Sequence, residues 1–315
     1  MNETINLEHC LLNPQQNIST DFPYESQFIS FNNTKMHYIE AGTYDPPVLL
    51  IQGIPTHSYL WRNVIPHISP YARTIAIDLI GFGKSDKPTD IEYNLPRYTR
   101  FLEGAIEALD LKNVTIVAMD LGLIVGLNYA MNHEENIRGL VLFEGFFQPM
   151  DVAYKKLPFI NRFSLRLMKI QKHAEHMIVY NGEKMVEQMI STTTVRKLTP
   201  EEITQYQIPL RDEAVRKKVW LEGIGPTIIK PESEQPGDIV DLINRYADAL
   251  SKSQIPKLLL YADPGMVVSK KTAESAQKVI PNLEIKYVGT GKHFLPEDQP
   301  DAIGQSVADF YRGVR

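Results

Sequence analysis

Three stretches in the first half of the chain, PVLLIQG (47–53), RTIAIDLIG (73–81) and VTIVAMD (114–120), are short, rich in β-branched residues and almost wholly apolar. A strand that faces water on one side alternates polar and apolar residues; a strand without a polar face has to be covered on both. Such runs read as strands of a parallel sheet, and parallel strands need crossover connections, usually helices. One is evident: LPRYTRFLEGAIEALDL (95–111) sets Leu95, Tyr98, Leu102, Ala105, Ile106 and Leu109 on a single stripe at helical spacing. Ahead of these, SQFISF (26–31) and KMHYIEAG (35–42) read as an antiparallel pair with Asn32 and Asn33 near the turn.

IRGLVLFEG (137–145) extends the series, which then pauses: residues 147–230 hold no good buried strand, are helical in period and are rich in Met and Lys. After the polar linker KPESEQPGD (230–238), VDLINRYADAL (240–250) reads as a helix, PKLLLYADPG (256–265) as a strand and KTAESAQKVI (271–280) as a helix. LEIKYVG (283–289) follows as a strand and AIGQSVADFYRGV (302–314) as the closing helix. The order predicts an open α/β sheet interrupted once by a helical insertion.

Composition narrows the function classes. The formal net charge is −5 and basic residues are scattered, which argues against a nucleic-acid partner. Cys10 is the sole cysteine, so no internal disulfide forms and a zinc cluster is not expected. No apolar stretch approaches the roughly 18 residues that span a bilayer, and the first residues lack the pattern of a secretory signal. The expectation is a cytoplasmic protein without a membrane partner.

In open α/β sheets reactive groups gather beyond the carboxyl ends of the strands. Those ends carry Gln52-Gly53-Ile54, Asp78, Asp120, Glu144 and Asp263, with His293 after the last strand. A nucleophile, then an acid, then a histidine is the chain order of α/β-hydrolases. Asp120 sits in A-x-D-x-G at a strand-to-helix corner, the shape of a nucleophile elbow, with small Ala118 and Gly122 on either side. Either Glu144 or Asp263 could supply the acid, because it can follow either of two strands; Asp263 reads equally as a turn residue or helix N-cap. Asp78 and Asp86 read as structural loop acids, and GFGKS (81–85) lacks the spacer of a P-loop. His173 and His176 have a spacing that could bind metal but read as a solvated helix face, as does RDEAVRKK (211–218). Met185, Met189 and Thr193 fall at i, i+4 and i+8, one face of a helix.

Four long stretches make the chain resemble the haloalkane dehalogenase family and its relatives, the Renilla-type luciferases: FPYESQFISFNNTKMHYIEAG (22–42), SYLWRNVIPHISPYARTIAIDLIGFGKSDKP (58–88), VRKLTPEEITQY (195–206) and HFLPEDQPDAIG (293–304). The resemblance implies an α/β-hydrolase fold with a mostly parallel eight-stranded sheet flanked by helices. The core would comprise residues 1–146 and 231–315, with a helical cap at 147–230. By the same resemblance Asp120 is the nucleophile, His293 the general base and Glu144 the acid that orients the histidine. The backbone N–H groups of Ile54 and Leu121 would hold the oxyanion, and Met185, Met189, Thr193, Met266 and Val267, with Leu123, would line an apolar pocket. Trp61 and Trp220 match family tryptophans away from the site. The chemistry implied is attack of a carboxylate on carbon, an ester intermediate and its hydrolysis by a His-activated water. It needs no cofactor and no metal; the partner is a small hydrophobic substrate, and the state a monomer or homodimer.

Two positions break the family pattern. Its HDWG reads MDLG here, so Leu121 stands where a tryptophan N–H would hold departing halide, and its HGNP reads QGIP, so Ile54 stands for the asparagine. A lost donor of this kind costs about 2.7–4 kcal/mol in the transition state. The expectation is weak or no dehalogenation, with epoxides and lactones or esters as alternative substrates. Tyr154, Tyr180 and Tyr206 are the cap tyrosines that could protonate an epoxide oxygen, although Tyr206 also matches a tyrosine of the dehalogenases. A ligand-binding protein that has lost turnover is the non-enzymatic alternative.

Overall fold

β1 (Gln27–Phe31) and β2 (Thr34–Ala41) form the antiparallel pair. Asn32 and Asn33 join them with φ of 49° and 60°, a left-handed backbone that Asn tolerates better than most residues. In the computed structural model, which describes residues 18–149, 152, 181–224 and 237–314, the three apolar runs become β3 (Val48–Ile51), β4 (Thr74–Ile77) and β5 (Val114–Met119). Every residue of these three strands is buried, as a sheet covered on both faces requires. β6 (Ile137–Phe143), β7 (Lys257–Pro264) and β8 (Leu283–Gly291) complete eight strands in the order β1-β2-β4-β3-β5-β6-β7-β8. β2 runs antiparallel to both neighbours, and the remaining pairs are parallel.

The helices flank this sheet. α1 (Leu95–Ala108) starts at Asn94, whose side chain accepts the Arg97 N–H at 3.0 Å, and it buries Leu95, Tyr98, Leu102, Ala105 and Ile106 of the expected stripe. α2 (Asp120–Asn132) leaves β5 directly and is buried along most of its length. The described part of the insertion contains α3 (Gly182–Thr193), α4 (Pro200–Gln207) and a π-helix, Arg216–Ile224. A capping box fixes the start of α4: Thr199 and Glu202 each satisfy the other's backbone N–H. α5 (Gly237–Leu250), α6 (Lys270–Gln277) and α7 (Pro300–Gly313) restore the alternation around β7 and β8. No helix among the described residues is long and apolar enough to cross a membrane. Cys10, Tyr154, His173, His176 and Tyr180 lie outside the described residues.

Register positions the site. Ile51 pairs with Ala118 and Met119 with Phe143, so the carboxyl ends of β3, β5 and β6 finish level and residues 52–54, 120 and 144 share one edge. β3 and β5 flank the point where the strand order reverses, the place where α/β sheets open a crevice. The loop acids behave as structural groups. Asp78 is buried and accepts the N–H groups of Ser58 (2.6 Å) and Lys84 (2.8 Å), with His37 Nδ1 at 2.7 Å. Burial pushes its pKa up, but the His37 hydrogen bond and the charges of His57 and His37 outweigh that and hold it down at about 2. Asp86 accepts the Lys35 N–H at 2.7 Å.

One reading needs correction: RDEAVRKK is not a wholly solvated face. Arg216 is buried, and its Nη1 donates to the carbonyls of Leu210 and Arg211 at 2.7 and 2.6 Å. The guanidinium turns inward to satisfy carbonyls left over where one helical segment gives way to the next.

Candidate active site

Asp120 is the first residue of α2 and has φ of +49°, a strained conformation for a residue with a Cβ. The turn is tight. A Cβ at Gly122 would lie 2.5 Å from the carbonyl oxygens of Gln52 and Ile51, and one at Gly53 would lie 2.4 Å from Asp120 Cβ. Only glycine fits at either position, which explains the small residue of A-x-D-x-G and the glycine of QGIP.

Both oxygens of Asp120 are engaged. Oδ1 accepts the Ile54 N–H at 2.8 Å, and the Leu121 N–H also bonds to the carboxylate. Oδ2 lies 3.3 Å from His293 Nε2. On the other side of the ring, His293 Nδ1 lies 3.2 Å from Glu144 Oε2. Glu144 is fully buried, has φ of +44°, and its carbonyl accepts the Asp120 N–H at 3.2 Å. Its carboxyl group is held by the backbone N–H groups of Met266 (3.1 Å), Val267 (2.9 Å) and Val268 (3.2 Å). Asp263, the competing acid, is exposed and belongs to the β7–β8 ladder. Glu144 is therefore the acid that reaches the histidine.

Electrostatics follow from this packing. Burial works against the charge on Asp120, but the His293 hydrogen bond and charge and the N–H groups of Ile54 and Leu121 outweigh it and hold the carboxyl below its ordinary range. Burial also pulls His293 down, yet hydrogen bonds and charges from Asp120 and Glu144 push it up to about 10. The raised pKa favours the imidazolium at neutral pH, with an N–H directed at each carboxyl group.

The remaining expected residues are distributed as follows. Ile54 and Leu121 are almost buried and present aliphatic side chains beside Asp120. Leu123 is fully buried, packed close to Gly145 in the layer beneath the elbow. On α3, Met185 is buried while Met189 and Thr193 are partly exposed. Met266 and Val267 act through their backbone, on Glu144. Tyr206 is fully buried with its hydroxyl donating to Glu297, and burial holds its pKa well above the ordinary range, so that hydroxyl is already committed. Trp61 packs edge-on to Phe143 at 6.0 Å and Trp220 lies 6.5 Å from Phe82; both indole N–H groups are buried without a partner among the described residues.

Sequence reasoning missed two features. One is the run of N–H groups at 266–268, whose only signal was its place after a strand end. The other is the tie between His293 and the insertion: the Thr193 carbonyl accepts the N–H groups of His293 (2.9 Å) and Phe294 (3.2 Å). The acidic pair Glu297-Asp298, just after the histidine, was the available signal for that tie.

Comparison with known proteins places the chain in a family. A family model described as alpha/beta hydrolase fold matches residues 46–166. A haloalkane dehalogenase of Mesorhizobium japonicum is 32% identical over 95% of this chain and 94% of its own. One of Sphingobium indicum is 34% identical over 92% and 96%. Among solved structures, haloalkane dehalogenase DbeA from Bradyrhizobium elkani matches with a TM-score of 0.85 at 31% identity, covering 92% of this chain and 98% of that one. The haloalkane dehalogenase DatA from Agrobacterium tumefaciens matches at 0.82 with 29% identity, over 93% and 97%.

Proposed function

The chain belongs to the haloalkane dehalogenase family of α/β-hydrolases, and from that premise we propose that it is a hydrolase in which Asp120 forms a covalent ester with a small hydrophobic substrate, with weak or no dehalogenation. An oxygen of Asp120 attacks carbon, a C–O bond forms, and the bond to the leaving group breaks with its electron pair departing on that group. Ester formation removes one of the two charges that held His293 up. The imidazolium then releases a proton to solvent, the one that balances the departed leaving group, and the neutral ring takes a proton from a water that adds to the Asp120 carboxyl carbon. Oδ1 becomes the oxyanion, at a position where the Ile54 N–H already stands 2.8 Å away. Collapse of the tetrahedral intermediate releases the alcohol and restores the carboxylate. Glu144 stabilises the imidazolium and fixes its orientation.

The observation that carries this reading is the engagement of the two Asp120 oxygens by different groups, the Ile54 N–H on Oδ1 and the imidazole on Oδ2. The aliphatic side chains of Leu121 and Ile54 favour a particular group of substrates. Backside displacement sends the leaving atom away from Asp120, and His293 stands on the attacking side. An epoxide or lactone keeps its leaving oxygen tethered, so such substrates are less dependent on a clamp than a free halide. A non-catalytic binding role is disfavoured by the complete set of Asp120, His293 and Glu144 contacts.

The test is His293→Ala, which leaves the nucleophile and removes the base. Intact mass after incubation with 1-bromohexane, an aliphatic epoxide and a δ-lactone should show a stable adduct with at least one, and peptide mapping should place it on Asp120. A protein that remains unmodified by all three, or is modified elsewhere, contradicts the reading.

A further inference from the structure

Beneath the site, between the core and the insertion, lies a closed cluster of charged side chains. Arg62, from the core, donates through Nη1 and Nη2 to Glu297 at 2.7 and 2.9 Å and through Nη2 to Glu202 at 2.6 Å. Arg196, from the insertion, pairs with both oxygens of Glu202 at 2.7 and 2.8 Å and also with Glu297. Tyr206 of α4 adds its hydroxyl to Glu297. Arg62, Glu202 and Glu297 are each almost wholly buried, and two cations balance two anions.

Glu297 lies four residues after His293, on the single helical turn Leu295–Asp298. The next residue, Asp298, accepts the backbone N–H groups of Val195 (2.8 Å) and Arg196 (3.0 Å) from the insertion and of Lys292 (3.0 Å) from its own loop. Arg196 Nε reaches the Glu297 carbonyl at 2.6 Å. Together with the Thr193 carbonyl on His293 and Phe294, these bonds join the histidine loop to residues 193–206 along its whole length. The backbone of His293 thus hangs on the insertion, while its ring reaches Asp120 and Glu144 on the sheet.

We propose that the Arg62–Glu202–Arg196–Glu297 cluster, with Tyr206, positions His293: it locks residues 193–206 to the histidine loop, so that the placement of the imidazole between Asp120 and Glu144 is set through the insertion. Tyr206 and Glu297 are positioning residues and touch no reacting atom. A salt-bridge cluster that merely supported the fold would raise stability without affecting the imidazole. A positioning cluster makes the titration of His293 depend on a hydroxyl that does not touch it. Bidentate charge-assisted pairs fix direction as well as distance, which suits this role.

The proposal rests on His293 being the working base, but its test needs no substrate and is independent of ester formation at Asp120. In Tyr206→Phe, imidazole C–H resonances followed by NMR across pH should show the His293 midpoint falling by roughly one pH unit, as the ring loosens from its carboxyl partners. Arg196→Lys, which keeps the charge and loses the fork, should move it in the same direction. An unchanged midpoint in a folded variant overturns the proposal whatever happens to Tm. Amide hydrogen exchange of the unmodified protein supplies a readout that no variant's misfolding can remove. The His293 and Phe294 N–H groups should exchange at about the rate of those of Val195 and Arg196. Exchange at 293 and 294 more than about ten-fold faster would show that the loop opens without the insertion, and would overturn the proposal.

Discussion

Replacing Asp120 by Asn removes one charge and nearly preserves shape, so it isolates the carboxylate's hold on His293. In the folded protein that histidine is pushed up to about 10 from an ordinary 6.5. Each pKa unit of such a rise corresponds to about 1.4 kcal/mol in favour of the imidazolium. Asp120 at 3.3 Å from Nε2 and Glu144 at 3.2 Å from Nδ1 share this at similar distances. An opposite charge at hydrogen-bond distance shifts a pKa by about 1–3 units, so removing one should lower the midpoint by about two units. Imidazole resonances followed by NMR from pH 4 to 11 in both proteins give the number directly. Stability should follow with a definite sign. A group whose folded pKa lies above its unfolded value stabilises fully below the unfolded value, and the contribution fades as pH rises through the folded one. Urea denaturation should therefore find the unsubstituted protein ahead of Asp120→Asn by about 2–3 kcal/mol near pH 5–6, with the gap closing as pH rises toward 10. The depressed pKa of Asp120 keeps the pair intact at the acid end of that range. A His293 midpoint near 6.5 in both proteins, or one unmoved in the variant, would refute the electrostatic argument and with it the idea that ester formation releases the base.

Three further outcomes follow from the same geometry. Leu121→Trp with Ile54→Asn restores two side-chain donors and should raise halide release from 1-bromohexane at least about a hundred-fold, at about 2.7–4 kcal/mol per donor; no gain in a folded double variant counts against the clamp argument. Gly53→Ala puts a Cβ 2.4 Å from Asp120 Cβ and has to displace the nucleophile. In a His293→Ala background it should slow adduct formation more than about ten-fold, and an unchanged rate would show that Asp120 does not need that placement. Trp220→Phe deletes an indole N–H that has no partner among the described residues, so the unfolding free energy should shift by less than about 1 kcal/mol in urea. A larger loss would mean that the N–H has a bonding partner in solution.

Much of the scaffold was legible because burial on both faces leaves a strong mark. The fully apolar runs at 48–51, 74–77 and 114–119 have few other ways to be stable, and the stripe of α1 is equally direct. The elbow was legible for a steric reason: A-x-D-x-G spells out a turn with no room for a side chain at Gly122. The choice between Glu144 and Asp263 could not be made from the residues, since both follow strands. Three backbone N–H groups at 266–268 distinguish them, and backbone direction leaves no trace in residue identity. Arg216 was misread because a charged run looks solvated, whereas the carbonyls that draw it inward at 210 and 211 depend on how the chain turns. The positions of Tyr206 and Arg62 depend on Glu297, which is 91 and 235 residues away in sequence.

The substitutions at 54 and 121 have an asymmetry that follows from where their donors reside. An oxyanion is held by backbone N–H groups, which every residue except proline supplies, so Ile54 and Leu121 serve the Asp120 carboxylate as well as Asn and Trp would. A departing halide is held by side-chain N–H groups, which neither Ile nor Leu has. In the proposed two-step reaction the two changes therefore fall on the first step and spare the second. If this is the working division, an ester once formed on Asp120 should hydrolyse at a rate ordinary for this chemistry while its formation from a haloalkane is slow. Rapid-quench kinetics with substrate in excess should then show no accumulation of adduct in the unsubstituted protein. Accumulated ester would mean that the base, rather than the missing clamp, is the weak part of the site.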